Sequence, residues 1–530
     1  MKKMIAVGFV LCGTFLLAGA ATGNAATPGA PSTSIAPAKL ARIGAIDERF
    51  QSYNIEMVEV TGGRFWKPYA SQTVAAQPNG NQPAGMDPSL YEFRQPIDLY
   101  NARLRKLAAA LGPVYVRVSG TWANSTFFQL ADSPRPMEAP AGFKAVLTRA
   151  QWKGVVDFSK AVDAKIVTSF AISPGTRDAN GIWTPKQASQ IFDYTKSLGG
   201  SIAAVELFNE PTMPEMGGAP KGYDAAAFAL DVKAFRDYVR SADAKTLILG
   251  PGSVGEGANS KILVPGLKIM KSEDMLAATG PAFDVFSYHT YGAVSSRCKW
   301  MGAETTTTQY AALTEEWLAR GGQNEEFYAG LRDRFEPGKP MWNTETAQAA
   351  CGGDRWASTF LDSFRYLNQL GSLARRGVQV QMHNTLAASD YGLLQEHTFE
   401  PRPNYWAALL WSKLMGTAVL DAGPSPSPSL HIYAQCLRNH PGGVTLMVIN
   451  ADENNTQSLA VDAPSERYTL TAQALTSKQV QLNGVDLKLG VGDALPALKG
   501  KDSCSGKVSF APASITFLAI AKANNASCRQ

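Results

Sequence analysis

Ala203-Ala-Val-Glu-Leu-Phe208-Asn-Glu210-Pro211 is a short apolar run that stops at an amide, a carboxylic acid and a proline. Proline ends regular structure and biases the residue before it away from a helix. Glu210 therefore reads as standing where a strand gives way to a loop. Working outward, similar runs recur at 53–60, 114–119, 165–172, 246–249, 284–288, 340–343 and 378–383. Helical patterns fall between them, at 96–111, 149–162, 185–198, 225–241 and 356–376. Eight strands alternating with helices predict an α/β fold, a (β/α)8 TIM barrel. A doubly wound sheet shares this alternation, and pattern alone leaves it open.

The seventh run ends Met341-Trp-Asn343-Thr-Glu345-Thr346, a second acid expected where a loop begins. A barrel carries its chemistry at the C-terminal ends of its strands, so strand ends four and seven would face one cleft. Cutting a sugar–sugar bond needs two carboxyl groups on opposite sides of the anomeric carbon. One protonates the leaving oxygen; in a retaining enzyme the other attacks. Taken singly, Glu210 or Glu345 reads as an ordinary surface carboxylate. An Asn-Glu-Pro triplet after a strand, with another Glu three strands later, points to the catalytic pair. Asn209 would then hydrogen-bond the sugar 2-hydroxyl. On the sixth strand His289 and Tyr291 share a face at period two. Tyr291 would bond the attacking carboxylate and keep it ionised. The alternative is two satisfied aromatic residues of the core.

Other motifs lead elsewhere or nowhere. Gly250-Pro-Gly252-Ser-Val-Gly255 formally fits a dinucleotide fingerprint, but it holds a proline in the turn and opens no clear helix. There is no Walker lysine loop and no H-E-x-x-H pattern, and the 5 histidines are scattered. No metal and no organic cofactor is expected. Asn124, Asn454 and Asn525 head formal glycosylation sequons. The net charge of +5 includes Lys2 and Lys3. What remains without them is too weak to argue for nucleic acid. A hydrophobic fraction of 45% and a charged fraction of 18% over 530 residues fit a globular chain of two or more domains.

Residues 1–26 read as a signal peptide: a short positive start, an apolar run, then a small-residue cleavage site near Ala25 or Ala26. The chain is expected to be secreted or periplasmic, monomeric, and off the membrane after cleavage. Cys12 would leave with the signal, and the five other cysteines contain no C-x-x-C pair. Residues 27–46 form an N-terminal segment, rich in Ala, Pro, Ser and Thr over 27–38, that reads as a loosely held lead. Residues 47–415 make the barrel. A Pro/Ser-rich break at Ala422-Gly-Pro-Ser-Pro-Ser-Pro-Ser429 precedes short β-rich runs at 431–437, 444–450, 457–461, 467–471, 480–482 and 508–521. Residues 416–530 are therefore expected to fold as a β-sandwich that supports the barrel.

The chain resembles glycoside hydrolase family 79, the heparanases and β-glucuronidases, from about residue 40 to the end. The resemblance rests on Tyr115-Val-Arg-Val-Ser-Gly-Thr121, Val205-Glu-Leu-Phe-Asn-Glu-Pro211, Tyr288-His-Thr-Tyr291, Trp342-Asn-Thr-Glu-Thr346, Gly352-Gly353 and Glu400-Pro-Arg-Pro-Asn-Tyr-Trp406. It implies a retaining hydrolase acting on β-linked glucuronic acid, in a glucuronide or a heparan-sulfate-like chain, with Glu210 as acid/base and Glu345 as nucleophile. It implies that backbone amides of Gly352 and Gly353, with Tyr391, hold the uronate carboxylate, and that Glu56 touches sugar hydroxyls. It also implies that part of the 27–46 segment, near residues 35–45, adds a strand to the second domain, and that Cys436 and Cys528 form a disulfide. Cys298 and Cys351 follow strands six and seven, so a second bond is expected across the cleft rim, with Cys504 left over.

Three departures stand out. Ala350-Cys351 occupies the place where a tyrosine usually precedes the Gly-Gly pair. The long excised linker of animal heparanases has no counterpart between Phe128 and Trp152. The loop after the first strand, 62–95, is long and carries Arg64, Trp66, Lys67 and Tyr69. It either closes one end of the cleft, for exo cleavage, or offers contacts to a sulfated polymer. Exo and endo action stay open. So do a different barrel glycosidase, of arabinofuranosidase or xylosidase type, and a non-catalytic polysaccharide-binding protein.

Overall fold

A computed structural model describes residues 34–71, 86–133, 136–257, 268–301 and 306–529. The predicted signal peptide lies outside the described residues, as does part of the 62–95 loop.

Eight parallel strands close into a barrel in chain order. They are β1 Gln51–Glu56, β2 Val114–Ser119, β3 Ala164–Ser169, β4 Ile202–Glu206, β5 Leu247–Ser253, β6 Val285–Tyr291, β7 Met341–Ala347 and β8 Val380–His383. Helices cover the outside, so the strands are buried on both faces and read as near-continuous apolar runs. Tyr115, Val167, Ala204, Leu249, Val285, Trp342, Val380 and Met382 form one buried cluster inside the barrel. Tyr115 and Trp342 meet there with ring centroids 4.8 Å apart. Two residues further along the same strand faces stand Arg117, Ser169 and Glu206. The barrel interior thus changes from apolar to ionic toward the strand ends, where the cleft opens.

Two sequence readings are corrected here. The first run does not stay a strand to residue 60: β1 ends at Glu56 and Met57–Thr61 is a helical turn. The Glu59 carboxylate accepts from the Glu56 N–H at 2.9 Å and fixes the start of that turn. A short apolar run does not by itself separate helix from strand. The second concerns Glu345, which lies inside β7 rather than at its end. The glycine fingerprint at 250–255 is largely part of β5, with Gly250, Pro251 and Gly252 in the strand.

Beyond the barrel, Met415–Leu420, Leu430–Leu437, Val444–Asn450, Ser514–Ile520 and Ser465–Thr471 run side by side in a sheet that Arg42–Ala45 extends at one edge. A smaller sheet of Ser34–Ile35, Gln457–Val461 and Gly506–Phe510 is separate from it. Period two divides the large sheet's work. Val444, Leu446 and Val448 join Leu459, Val461 and Phe510 of the small sheet in one core. Met447, Ile449 and Phe517, on the other face, join the core of the barrel. Tyr433 on that face reaches across to Asn368 with a 2.6 Å hydrogen bond. Cys436 and Cys528 are bonded, as are Cys298 and Cys351. Cys504, expected to be left over, is also disulfide-bonded. Among the described residues no helix is long and apolar enough to cross a membrane.

Candidate active site

Glu210 and Glu345 meet at the mouth of the barrel. One carboxylate oxygen of each, together with a ring nitrogen of His289, lie within 4.8 Å of one another. Glu210 comes four residues after β4 and adopts a left-handed φ of 51°. Such a conformation costs a non-glycine residue about 1–3 kcal/mol unless its surroundings hold it. Here the preceding residue is clamped. The Asn209 N–H donates to Asn124 Oδ1 at 2.8 Å, and Asn124 Nδ2 donates to the Asn209 carbonyl at 2.9 Å.

A buried guanidinium organises the floor. Arg117 donates to Glu206 Oε2 at 2.8 Å, to Glu345 Oε2 at 2.9 Å and to Asn209 Oδ1 at 2.7 Å. Burial opposes its charge, but Glu206 and Glu345 outweigh that and hold it well above its ordinary value. Glu206 is also buried, yet Arg117 keeps its carboxyl below the usual range. Tyr291 donates to the other oxygen of Glu345 at 2.6 Å. Burial, then the charge of Glu345, push the tyrosine's pKa far up, so it remains a donor.

His289 faces both acids. Its Nε2 lies 3.3 Å from Arg117 Nη2, which can only donate. Nε2 must therefore accept, and the proton sits on Nδ1, which points at Glu210 Oε1 at 3.0 Å. Burial lowers the imidazole to about 4, so it is neutral at working pH. Glu210 is pushed up to about 7 by burial and by the charge of Glu206, against the pull of Arg117. Glu210, His289 and Glu345 are close enough to share a metal ion. Both ring nitrogens of His289 are already engaged, however, and the positive charge of the site is supplied by Arg117.

The remaining wall comes from β1, β7 and β8. Glu56, Asn384 and Tyr391 line the cleft beside Tyr291 and Glu345. Asn384 Nδ2 donates to Glu56 Oε1 at 3.1 Å and reaches Tyr391 Oη at 3.3 Å. Burial first, and the charge of Glu345 second, raise Glu56 well above the carboxylate range. Gly120 makes this arrangement fit: a Cβ there would lie 1.5 Å from Glu56 Oε2. Cys351 lines the cleft too, and its bond to Cys298 ties the loop after β7 to the loop after β6. Gly352 and Gly353 follow with φ of 82° each, tucked between Trp66 and Tyr391.

No family model matches the chain. Heparanase-like protein 1 of Arabidopsis thaliana is 25% identical over 491 residues, 82% of this chain and 86% of its own. Heparanase of Mus musculus is 27% identical over 502 residues, 81% of this chain and 88% of its own. Baicalin-beta-D-glucuronidase of Scutellaria baicalensis is 35% identical over 175 residues, 32% of this chain and 33% of its own. The chain is a relative of the heparanases and β-glucuronidases. Among solved structures, a 4-O-alpha-L-rhamnosyl-beta-D-glucuronidase from Fusarium oxysporum superposes with a TM-score of 0.61 at 13% identity, over 92% of this chain and 99% of that one. A family 51 alpha-L-arabinofuranosidase from Bifidobacterium longum gives 0.62 at 13% identity, over 92% and 98%. At such identity these two speak for the fold alone.

For this heparanase relative the structure brings Glu56, Asn209, Glu210, His289, Tyr291, Glu345 and Tyr391 to one place. Three contributors to the cleft floor were not singled out from the sequence: Arg117, Glu206 and Asn384. A signal for the first two was present. Each is a charged residue inside an otherwise apolar strand, at 1% and 2% exposure. A charge stays that deep only when paired.

Proposed function

We propose that the protein is a retaining hydrolase of β-linked glucuronides. The observation that carries this reading is the Glu210–Glu345 pair, set close together in unequal surroundings. Retaining enzymes keep their two carboxyl groups about 5–5.5 Å apart, because one must reach the anomeric carbon directly. Glu210, protonated below about pH 7, donates to the leaving oxygen. Glu345 attacks the anomeric carbon and forms a glycosyl–enzyme ester. His289, donating through Nδ1, then favours the Glu210 carboxylate, which takes a proton from the incoming water. That water breaks the ester and restores both side chains. Arg117 and Tyr291 hold the attacking carboxylate in place. The uronate carboxylate is taken by the backbone N–H groups of Gly352 and Gly353 with the Tyr391 hydroxyl. Neither glycine N–H donates to an acceptor among the described residues.

The loop after β1 favours exo cleavage. Tyr69 N–H donates to Asp390 at 3.0 Å, its hydroxyl meets Ser295 at 3.0 Å, and Ser389 Oγ donates to the Trp66 carbonyl at 3.2 Å. Arg297 bonds the Lys67 carbonyl and stacks on the Tyr69 ring. The loop is thus bolted to those after β6 and β8, a barrier to a longer chain. Disulfides support action outside a reducing cytoplasm.

The test is turnover of an aryl β-D-glucuronide, with the matching glucoside and xyloside alongside, and the product anomer read by NMR. Glucuronide turnover with retained configuration is expected, and Glu345→Gln should abolish it, since an amide cannot form the ester. Inverted product, or near-normal activity of that variant, would overturn the mechanism. Turnover of the neutral sugars alone would overturn the substrate.

A further inference from the structure

We infer that the leaving-group half of the cleft is built for an apolar, aromatic-sized aglycone rather than a sulfated sugar. The inference rests on the glucuronidase reading above and names the substrate class of the same site.

The acid stands beside the leaving oxygen, so the aglycone departs past Glu210 and its neighbours. The chain leaving Glu210 turns through Met213 and Met216, and both line the cleft. Thr212 ties this loop to the one after β5: its hydroxyl donates to the Val254 carbonyl at 2.9 Å and accepts from the Val254 N–H at 3.2 Å. Val254 is thereby set beside the methionines. Met301, from the loop after β6, brings its sulfur to 3.9 Å from that of Cys351. Trp122, after β2, is held edge-on against Phe65 and Tyr91, with centroids 5.0 and 6.1 Å away. Flexible thioethers and an indole make a polarizable surface that adapts to a flat apolar group.

The charges point the same way. Arg117 in the floor is engaged by Glu206, Glu345 and Asn209, and no other lysine or arginine lines this cleft among the described residues; the carboxylic acids on its walls are Glu56, Glu210 and Glu345. A sulfate seated there would face carboxyl groups and lack the charge-assisted donors it needs. Arg297, on the same Ser296–Met301 turn as Met301, and Arg355 lie over the Tyr69 ring, and Arg297 is engaged by Asp390 at 2.7 Å. An aromatic aglycone, by contrast, gains from every apolar contact removed from water.

Of three probes, the first two share a primary alkanol leaving group and so separate binding from intrinsic reactivity. The three are ethyl β-D-glucuronide, 2-(2-naphthyl)ethyl β-D-glucuronide, and an N-sulfated heparan oligosaccharide ending in glucuronate. The naphthylethyl compound should exceed the other two in kcat/KM by about tenfold or more. Met216→Gln, nearly equal in volume but polar, should lower the naphthylethyl-to-ethyl ratio by a similar factor. Faster turnover of the sulfated oligosaccharide, or a variant that leaves the ratio unchanged, overturns the inference and leaves the glucuronidase reading standing. If none of the three is hydrolysed while a β-D-xyloside is, both fall.

Discussion

Glu210 and Glu345 carry the same side chain, and their neighbours set them apart. Glu345 accepts from Arg117 and Tyr291 on its two oxygens, whereas Glu210 meets a neutral imidazole in a buried corner. Because burial pushes Glu210 up to about 7, its acid form is present below that pH and lost above it. The pH profile of kcat/KM should therefore fall above about pH 7. In Glu210→Gln that limb should vanish. Turnover of an ethyl glucuronide should drop about 100- to 10,000-fold, and that of a dinitrophenyl glucuronide, whose leaving group needs no acid, far less. An unchanged alkaline limb in the variant would assign the proton to another group. Arg117 offers a different check. Arg117→Met leaves Glu206 and Glu345 buried without their counter-charge, which costs about 3–5 kcal/mol in stability. Urea denaturation reads this directly, and an unmoved midpoint would mean that the three-charge cluster is not what holds the floor together.

At the scale of elements, the barrel was legible because each of its strands is covered on both faces. All eight predicted runs overlap a strand, and each predicted helix overlaps a helix. The misreading at 57–60 has a local cause, a carboxylate–amide bond that turns an apolar run into a helix. The position of Glu345 was missed because β7 shifts register against β6 just before it, which no period-two pattern conveys. The floor was less legible still. Arg117 meets Glu206 and Glu345 at separations of 89 and 228 residues, and only the closed barrel makes those neighbours. One element-level device can be tested away from the cleft. Cys436, on Leu430–Leu437, is bonded to Cys528, 92 residues later in the C-terminal turn. Asn525 in the same turn donates to the carbonyls of Pro37 and Leu40, so that turn also anchors the N-terminal segment. Closing so long a loop should contribute about 2–5 kcal/mol. The paired change Cys436→Ser with Cys528→Ser should lower the calorimetric Tm while kcat/KM at 25 °C stays within about twofold. An equal Tm would show that the sheets and the Asn525 bonds suffice.

Across the whole molecule, buried ionisable groups fall into two sets whose effects on stability oppose each other. Burial raises Glu59 and Glu210 to about 7, and burial with the charge of Glu345 raises Glu56 well above its ordinary range. These acids bind protons more readily in the folded chain. Their contribution is complete below about pH 4.5 and is lost as pH rises toward 7 and, for Glu56, beyond. Burial lowers His289, His383 and His431 to about 4. These imidazoles favour folding above their ordinary value near 6.5, and that contribution is lost as pH falls toward 4. Between about 4.5 and 6.5 the two slopes act against each other. Above that window only the acids still change, and stability falls. Below it the histidines still change. Glu206, held low by Arg117 despite its burial, joins them, so stability falls again. Denaturation midpoints measured from pH 3.5 to 8.5 should trace a dome with its top in the mildly acidic range. A steady rise from pH 5 to 8 would mean that the buried acids are ionised in the folded protein, contrary to the role given to Glu210. The ionisation of Glu210 that would end its proposed role as the acid also loosens the fold. Loss of activity above pH 7 should therefore steepen with temperature, and glucuronide turnover at 25 and 45 °C across that limb measures it.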